Sequence, residues 1–447
     1  MTPPPMAIST SLSISALLVG TAILLLGNGL QLLLVPVRAN LEGFTTGAIG
    51  LITSGYALGF VISCFVTPGI VKRVGHIRAF AVLAAITAAS VLALTLLIHP
   101  LGWLPLRTIT GFCMAGLFMV IESWLNERAS NENLGQVFAS YMAISFGAMT
   151  GGQLLLPTAD PAQTTLFVVV GIAVTLALVP VGLTTASAPR PITQAKLRLG
   201  YLYRVSPVGL VGCLFVGLAN GAFVGLAPLY TQNLGLSVTQ IALFASAAAV
   251  GGALAQQPLG GLSDRIDRRW VMIIACAGAG VAELFLLIYG GLGHTFALTA
   301  AAPWIVIGAA FVNGCFLFSM YGLCVAHAND FVDPDHFVET SSGLLLTFGV
   351  GATAGPLVAA TLMQQLGNGA LFAYLTAIHS LFALFTLYRI TRRAAPTERT
   401  AYVGLGTGLA RTTPTAIELD PRAPDEEALG GSPNTAGESE VEGGKAS

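Results

Sequence analysis

Charge is what this chain lacks. Of its 447 residues 20 are Lys or Arg and 21 are Asp or Glu, only 9% together, where a soluble domain carries about 25%. The formal net charge is −1, so no basic surface points to nucleic acid and no acidic one to a cationic partner. The six cysteines (Cys64, Cys113, Cys213, Cys276, Cys315 and Cys324) show no CxxC pair or Cys/His spacing. Neither a metal site nor a disulfide framework is indicated, and they read as small core residues. A GxxxxGK[ST] phosphate loop is missing, which excludes direct use of ATP. No constellation of nucleophile, base and oxyanion donor is visible, so the expectation is a protein that is no enzyme and needs no cofactor.

What is present is apolar. Hydrophobic residues make up 54% of the sequence and mean hydropathy is +0.78, the profile of a polytopic membrane protein. Cutting at Pro, Gly and charge clusters gives twelve candidate spans, roughly 14–37, 47–70, 79–98, 101–124, 135–157, 165–187, 207–230, 238–260, 270–291, 299–325, 341–364 and 369–390. The first has no Lys or Arg before it and is too long for a signal-peptide core, so it reads as a retained helix.

The placement of Lys and Arg tests this map. With twelve spans, eighteen of the twenty fall on one side, leaving Arg38 on the other and Arg107 inside a span. The positive-inside rule then puts both termini and the central loop in the cytoplasm. The connection HANDFVDPDHFVET after span 10 is the exception, acidic on a basic side.

The sequence also repeats. At an offset of 192, Asn28-Gly29 meets Asn220-Gly221, Pro36 meets Pro228, Gly43 meets Gly235, Gly59 meets Gly251 and Arg73 meets Arg265. Further on, Gly147 and Gly151 match Gly351 and Gly355 at an offset of 204. The reading is two six-helix halves in the same orientation: 1–187, a cytoplasmic central loop 188–206, 207–392, and a tail 393–447 whose Pro, Gly, Thr, Glu and Ser predict disorder.

The loop after span 8, Gly260-x-Leu262-Ser263-Asp264-Arg265-x-x-Arg268-Arg269, resembles the signature loop of the major facilitator superfamily, with Asp267 in place of a Gly. The first-half copy carries Lys72-Arg73 with no Asp. Arg107 to Ala115 in span 4 resembles a second family pattern with Thr110 in place of Gln, and Gly147-x-x-x-Gly151-Gly152 resembles the antiporter motif of span 5 without its Pro. A bacterial inner-membrane branch of efflux and sugar-type transporters is similar in KRVGH and VIESW. The resemblance implies an all-α membrane protein with twelve transmembrane helices in two pseudo-symmetric halves. It also implies a cytoplasmic gate with Asp264 as latch acid, Arg265 and Arg268 as its partners, and Lys72 and Arg73 in the first-half copy.

The candidate residues for the substrate and proton pathway are few. Arg107 is costly inside an apolar helix and reads as a cavity residue, the alternative being a side chain that snorkels to the headgroups. Glu122 is a protonatable carboxylate beside the cavity or an interfacial acid paired with Arg128. Asn28, Gln31 and Asn220 lie mid-span, where interhelical hydrogen bonding is as good a reading as solute contact. Asn313 is a weaker candidate on span 10, and Glu283 in span 9 has no functional account. The glycines Gly147, Gly151, Gly351 and Gly355 read as close-packing positions. The expectation is a secondary transporter of a small organic solute, energised by a proton gradient and exporting its cargo across the bacterial inner membrane. It is taken to contact membrane lipid, to bind no nucleic acid and to act as a monomer. The alternatives are a proton-coupled uptake symporter and a non-transporting receptor or lipid-handling protein on the same scaffold.

Overall fold

A computed structural model describes residues 6–128, 134–182, 199–291, 302–332 and 337–394, with Tyr402 and Thr413 beyond them. Arg190, Lys196 and Arg198 of the central loop lie outside the described residues. So does the expected disorder of the tail, apart from those two positions.

Helices account for nearly all of it. In chain order they are α1 (Met6–Leu41), α2 (Thr46–Val74), α3 (His76–Leu96), α4 (Pro100–Arg128), α5 (Leu134–Leu154), α6 (Thr165–Leu176, continued by Leu178–Gly182), α7 (Pro207–Asn233), α8 (Val238–Arg265), α9 (Arg268–Gly291), α10 (Ala302–Leu317, continued by Met320–Asn329), α11 (Phe337–Leu366) and α12 (Ala370–Arg392). Eleven of the described spans are long and apolar enough to cross a bilayer. The twelfth, α5, is 21 residues long but diluted by Gln136, Ser140, Ser145 and Gln153.

Boundaries differ from the sequence reading where polar residues sit in helices. α1 begins eight residues before the expected start, through a Ser/Thr stretch that a helix can carry. The expected single span 10 is interrupted at Phe318–Ser319, where the Ser319 hydroxyl donates to the Cys315 carbonyl at 2.7 Å. Such back-bonding bends helices.

The repeat is visible in geometry. Gly43 and Gly235 end α1 and α7 with φ of +73° and +80°, a conformation that suits glycine. Thr45 then caps α2 and Ser237 caps α8, each accepting a backbone N–H at 3.3 Å. The second and fourth helices of each half meet through paired glycines. Gly59 lies on the Thr108 carbonyl and Gly111 on Tyr56, joining α2 to α4. Gly251 lies on the Phe311 carbonyl and Gly314 on Ala248, joining α8 to α10. A methyl group at any of the four would strike backbone. In a membrane, where lipid is as apolar as Leu, such backbone contact is what holds helices together.

The expected packing role of Gly147 and Gly151 is corrected. No heavy atom would lie within 4 Å of a Cβ at either, whereas Gly152 packs on the Leu26 carbonyl. Gly351 and Gly355, their counterparts, do pack on α7. The contact face of α5 is therefore set by Gly152, one residue along.

The basic ends of α2, α4, α8 and α12 gather at one end of the bundle, here called the basic face. At the far face the halves join through Asn40 to Asn233 at 3.4 Å, with Asn233 donating on to Asn368 at 3.3 Å. Slightly deeper, Ser246 of α8 donates to Gln153 of α5 at 3.4 Å. Arg38, in the last turn of α1, pairs with Glu42 at 2.5 Å and donates to the Pro161 carbonyl at 3.2 Å.

Candidate transport path and gate

The first half carries a connected polar chain. Arg107 of α4 is 3% exposed. Its Nη1 donates to Gln31 Oε1 at 3.2 Å, and its guanidinium lies 4.5 Å from the centroid of the Tyr56 ring. Gln31 Nε2 donates to Asn28 Oδ1 at 2.8 Å, and the Tyr56 hydroxyl donates to the same oxygen at 3.1 Å. Asn28 Nδ2 reaches Met149 Sδ at 3.6 Å. Three residues singled out in sequence, Asn28, Gln31 and Arg107, are thus brought together. The snorkelling alternative for Arg107 gives way to inward bonding. Asn28 shows the interhelical bonding that was one of its two readings. Sequence reasoning missed Tyr56; its place three residues before the repeat glycine Gly59 was the available signal.

Glu122 lies on the same helix, nearer the basic face, and is fully buried. The Tyr141 hydroxyl of α5 donates to its Oε1 at 2.8 Å. From the tail, the Thr413 backbone N–H donates to Oε1 and Oε2 at 3.3 and 3.2 Å, and its hydroxyl donates to Oε2. A carboxylate's two oxygens can accept all of these donors.

The second half answers this differently. Asn220 and Asn313 are 1% and 0% exposed, and neither the oxygen nor the nitrogen of either amide finds a partner among the described residues. Burial without a hydrogen bond costs about 1–3 kcal/mol per group, so such groups require an explanation in solute or water. Between the halves lies a small cavity of about 30 Å³ lined by Leu32, Phe223, Ala227, Ile241 and Phe244, with Gln153 as its polar side chain. Its wall is apolar, and it has room for about one or two waters.

At the basic face the signature loop is an ion-pair cluster. Arg268, 1% exposed in its side chain, donates to Asp264 at 3.0 Å, Ser263 at 2.7 Å and Asp330 at 2.8 and 3.3 Å. Asp330 comes from the acidic connection after α10, which accounts for acid on a basic side. One expectation is corrected: Arg265 is exposed with no ion-pair partner among the described residues, because α8 ends there and the turn brings Arg268 back over Asp264. Lys72 and Arg73 are exposed. In their half His76 ties α3 to α4 instead, with Nε2 3.1 Å from Ser123 Oγ. Beside the cluster Asp267 binds Arg269 at 2.7 Å. Burial alone would raise the Asp267 pKa, but hydrogen bonds from the Arg269 side chain and N–H outweigh it and hold the carboxyl below its usual range.

Glu283 gains a partner that its sequence position did not disclose. His379 of α12 stands with Nδ1 3.0 Å from Oε2 and 2.9 Å from Oε1, and both side chains are buried.

Comparison with known proteins agrees with this architecture. The sequence profile of the Major Facilitator Superfamily matches residues 17–237 and again 209–418. The chain is similar to the uncharacterized MFS-type transporter YcaD of Escherichia fergusonii, 27% identical over 386 residues that cover 85% of this chain and 96% of that one. The Salmonella typhi protein of the same name gives the same identity and coverage. Among solved structures, the nucleoside transporter NupG superposes with a TM-score of 0.71 at 11% identity, over 85% of this chain and 100% of that one. An inward-facing, occupied bacterial homolog of the lysosomal transporter Spinster gives 0.66 at 16% identity, over 86% and 98%. At such identities the structures share the fold alone. The profile covers more than half of the chain, and so the chain belongs to the major facilitator superfamily: it is a multi-pass membrane transporter rather than an enzyme.

Proposed function

We propose that the protein exports a small, largely apolar organic solute across the bacterial inner membrane by alternating access, driven by protons. The basic face lies in the cytoplasm. The observation that carries the reading is the apolar seam between the halves, where Leu32 of α1 and Phe223 of α7 line one small cavity that rocking of the halves would widen. It adjoins a half with two buried charges on one helix, Arg107 and Glu122. An intramembrane charge bonded inward marks a substrate or proton path. Glu122 is the proton-carrying group, and Arg107, held by Gln31 and Tyr56, organises the polar wall. Asp264, Arg268 and Asp330 form the gate at the cytoplasmic end. No prosthetic group or metal takes part, and the unit is a monomer in contact with lipid.

A second reading, uptake of a polar nutrient, is favoured by Asn220 and Asn313, whose buried amides are unpaired among the described residues. Proteoliposomes loaded with a pH-sensitive dye separate the two. Amphipathic amines, sugars, nucleosides and amino acids are added in turn under an imposed pH gradient. Proton release coupled to counter-movement of an amphipathic solute supports export, and co-movement with a sugar or nucleoside supports uptake. Solute flux indifferent to the gradient would end the proton-coupled reading.

A further inference from the structure

The two described tail residues touch the two halves of the bundle separately. The Tyr402 backbone N–H donates to both oxygens of Asp264, at 3.0 and 3.1 Å. Its ring lies against Gly260 of α8 and its hydroxyl beside Gly322 of α10, glycines at which a Cβ would collide with it. Eleven residues later Thr413 is fully buried and gives both its N–H and its hydroxyl to Glu122 of α4. An extended chain of that length reaches up to about 38 Å, ample to pass from the second half to the first. The chain ends α12 in the second half at Arg392, so two residues beyond it are seated on different halves.

We propose that the C-terminal tail is an internal ligand of the transport path. Tyr402 seats on the gate acid Asp264, and Thr413 occupies an acceptor site made by Glu122 and Tyr141 that takes a paired N–H and hydroxyl. The inference rests on the reading of that face as the mouth of the path. Two consequences follow. While Thr413 donates to Glu122, that carboxylate is unavailable to solute or solvent. Two seats on different halves also oppose their relative rocking, since the state that separates Glu122 from Asp264 must release one of them. Tyr402 and Thr413 thereby act as a brake that the protein carries with it, released by anything that competes for either seat.

The seats are testable without a solute. Hydrogen exchange is read on the full chain in lipid nanodiscs, comparing the amide of Thr413 with that of Ser432 further along the same tail. The proposal expects exchange at Thr413 slower by about 100-fold or more, as for an amide that exchanges only through opening. Glu122→Ala is expected to return it to within about threefold of Ser432. If that variant does not fold, Tyr402→Ala is expected to speed exchange at Thr413 about tenfold by removing the anchor. Equal exchange at Thr413 and Ser432 in the unmodified protein overturns the proposal. Protection that persists in both variants also overturns it, because the tail would then be held elsewhere. Either failure leaves the transport reading standing, since that depends on flux alone.

Discussion

Arg268 and Asp330 stand 2.8 Å apart with side chains 1% and 0% exposed, joining the start of α9 to the end of α10. Their sequence separation is 62 residues, and the pair holds the signature loop in place from beneath.

Breaking this pair from one side should be severe. Arg268→Ala takes from buried Asp330 the guanidinium that pairs with it, a loss of about 3–5 kcal/mol. Thermal unfolding in detergent is the measurement. A double variant, Arg268→Met with Asp330→Leu, should recover much of the loss, because both desolvated charges leave together. If the single and double variants lose the same stability, the pair is not the cause.

Asp264, the proposed gate acid, is expected to matter less for stability than for transport. Its side chain is 36% exposed, and exposed ion pairs contribute about 0–1 kcal/mol. Asp264→Asn should therefore unfold near the parental temperature while shifting the balance of inward- and outward-open states. Distance measurements between labels on the two halves read that balance. An unchanged balance together with unchanged transport would sink the gate assignment.

Arg107→Lys keeps the charge and loses the planar group that both donates to Gln31 and lies over Tyr56. Transport in proteoliposomes should fall at least about tenfold, or about 1.4 kcal/mol in barrier, with folding preserved. Full flux in Arg107→Ala would remove Arg107 from the path.

The Asp267–Arg269 pair gives a pH dependence with a definite sign. The folded pKa is held below its unbound value of 3.8, so the stabilisation is present above that value and is lost as pH falls through the lower folded pKa. The unfolding temperatures of the parent and of Asp267→Asn should differ by a constant amount from pH 5 to pH 8. They should converge below about pH 4. A difference that grows on acidification would contradict the pairing.

Close packing makes the last prediction. Gly59→Ala and Gly251→Ala each drive a methyl into a backbone carbonyl and should each cost about 1–3 kcal/mol. Gly147→Ala meets open space and should be neutral or mildly stabilising in a helix. Thermal unfolding of the three variants side by side is the check.

Much of the fold was legible because the bilayer imposes it. Apolar runs and the one-sided Lys/Arg pattern fixed the twelve spans, and the offset of 192 tied Gly59 to Gly251 before any geometry was known. The site was legible residue by residue but not as pairings. Asn28, Gln31 and Arg107 were visible as polar residues in apolar runs, whereas Tyr56 and Tyr141 passed as ordinary aromatics. The family resemblance implied both Arg265 and Arg268 as partners of Asp264. A turn after Arg265 leaves that role to Arg268, and Asp330 arrives through tertiary packing that no local pattern encodes. Gly147 and Gly151 misled for a related reason: period alone does not say which face of α5 is inward.

The duplicated backbone has been given unequal work. Asn28 is bonded into a chain that ends at Arg107, while its twin Asn220 has no partner among the described residues. Lys72 stands exposed where its twin Asp264 is clamped. The two halves trace the same six-helix path, yet the bonded chain to Arg107 belongs to the first and the buried Arg268–Asp330 clamp to the second.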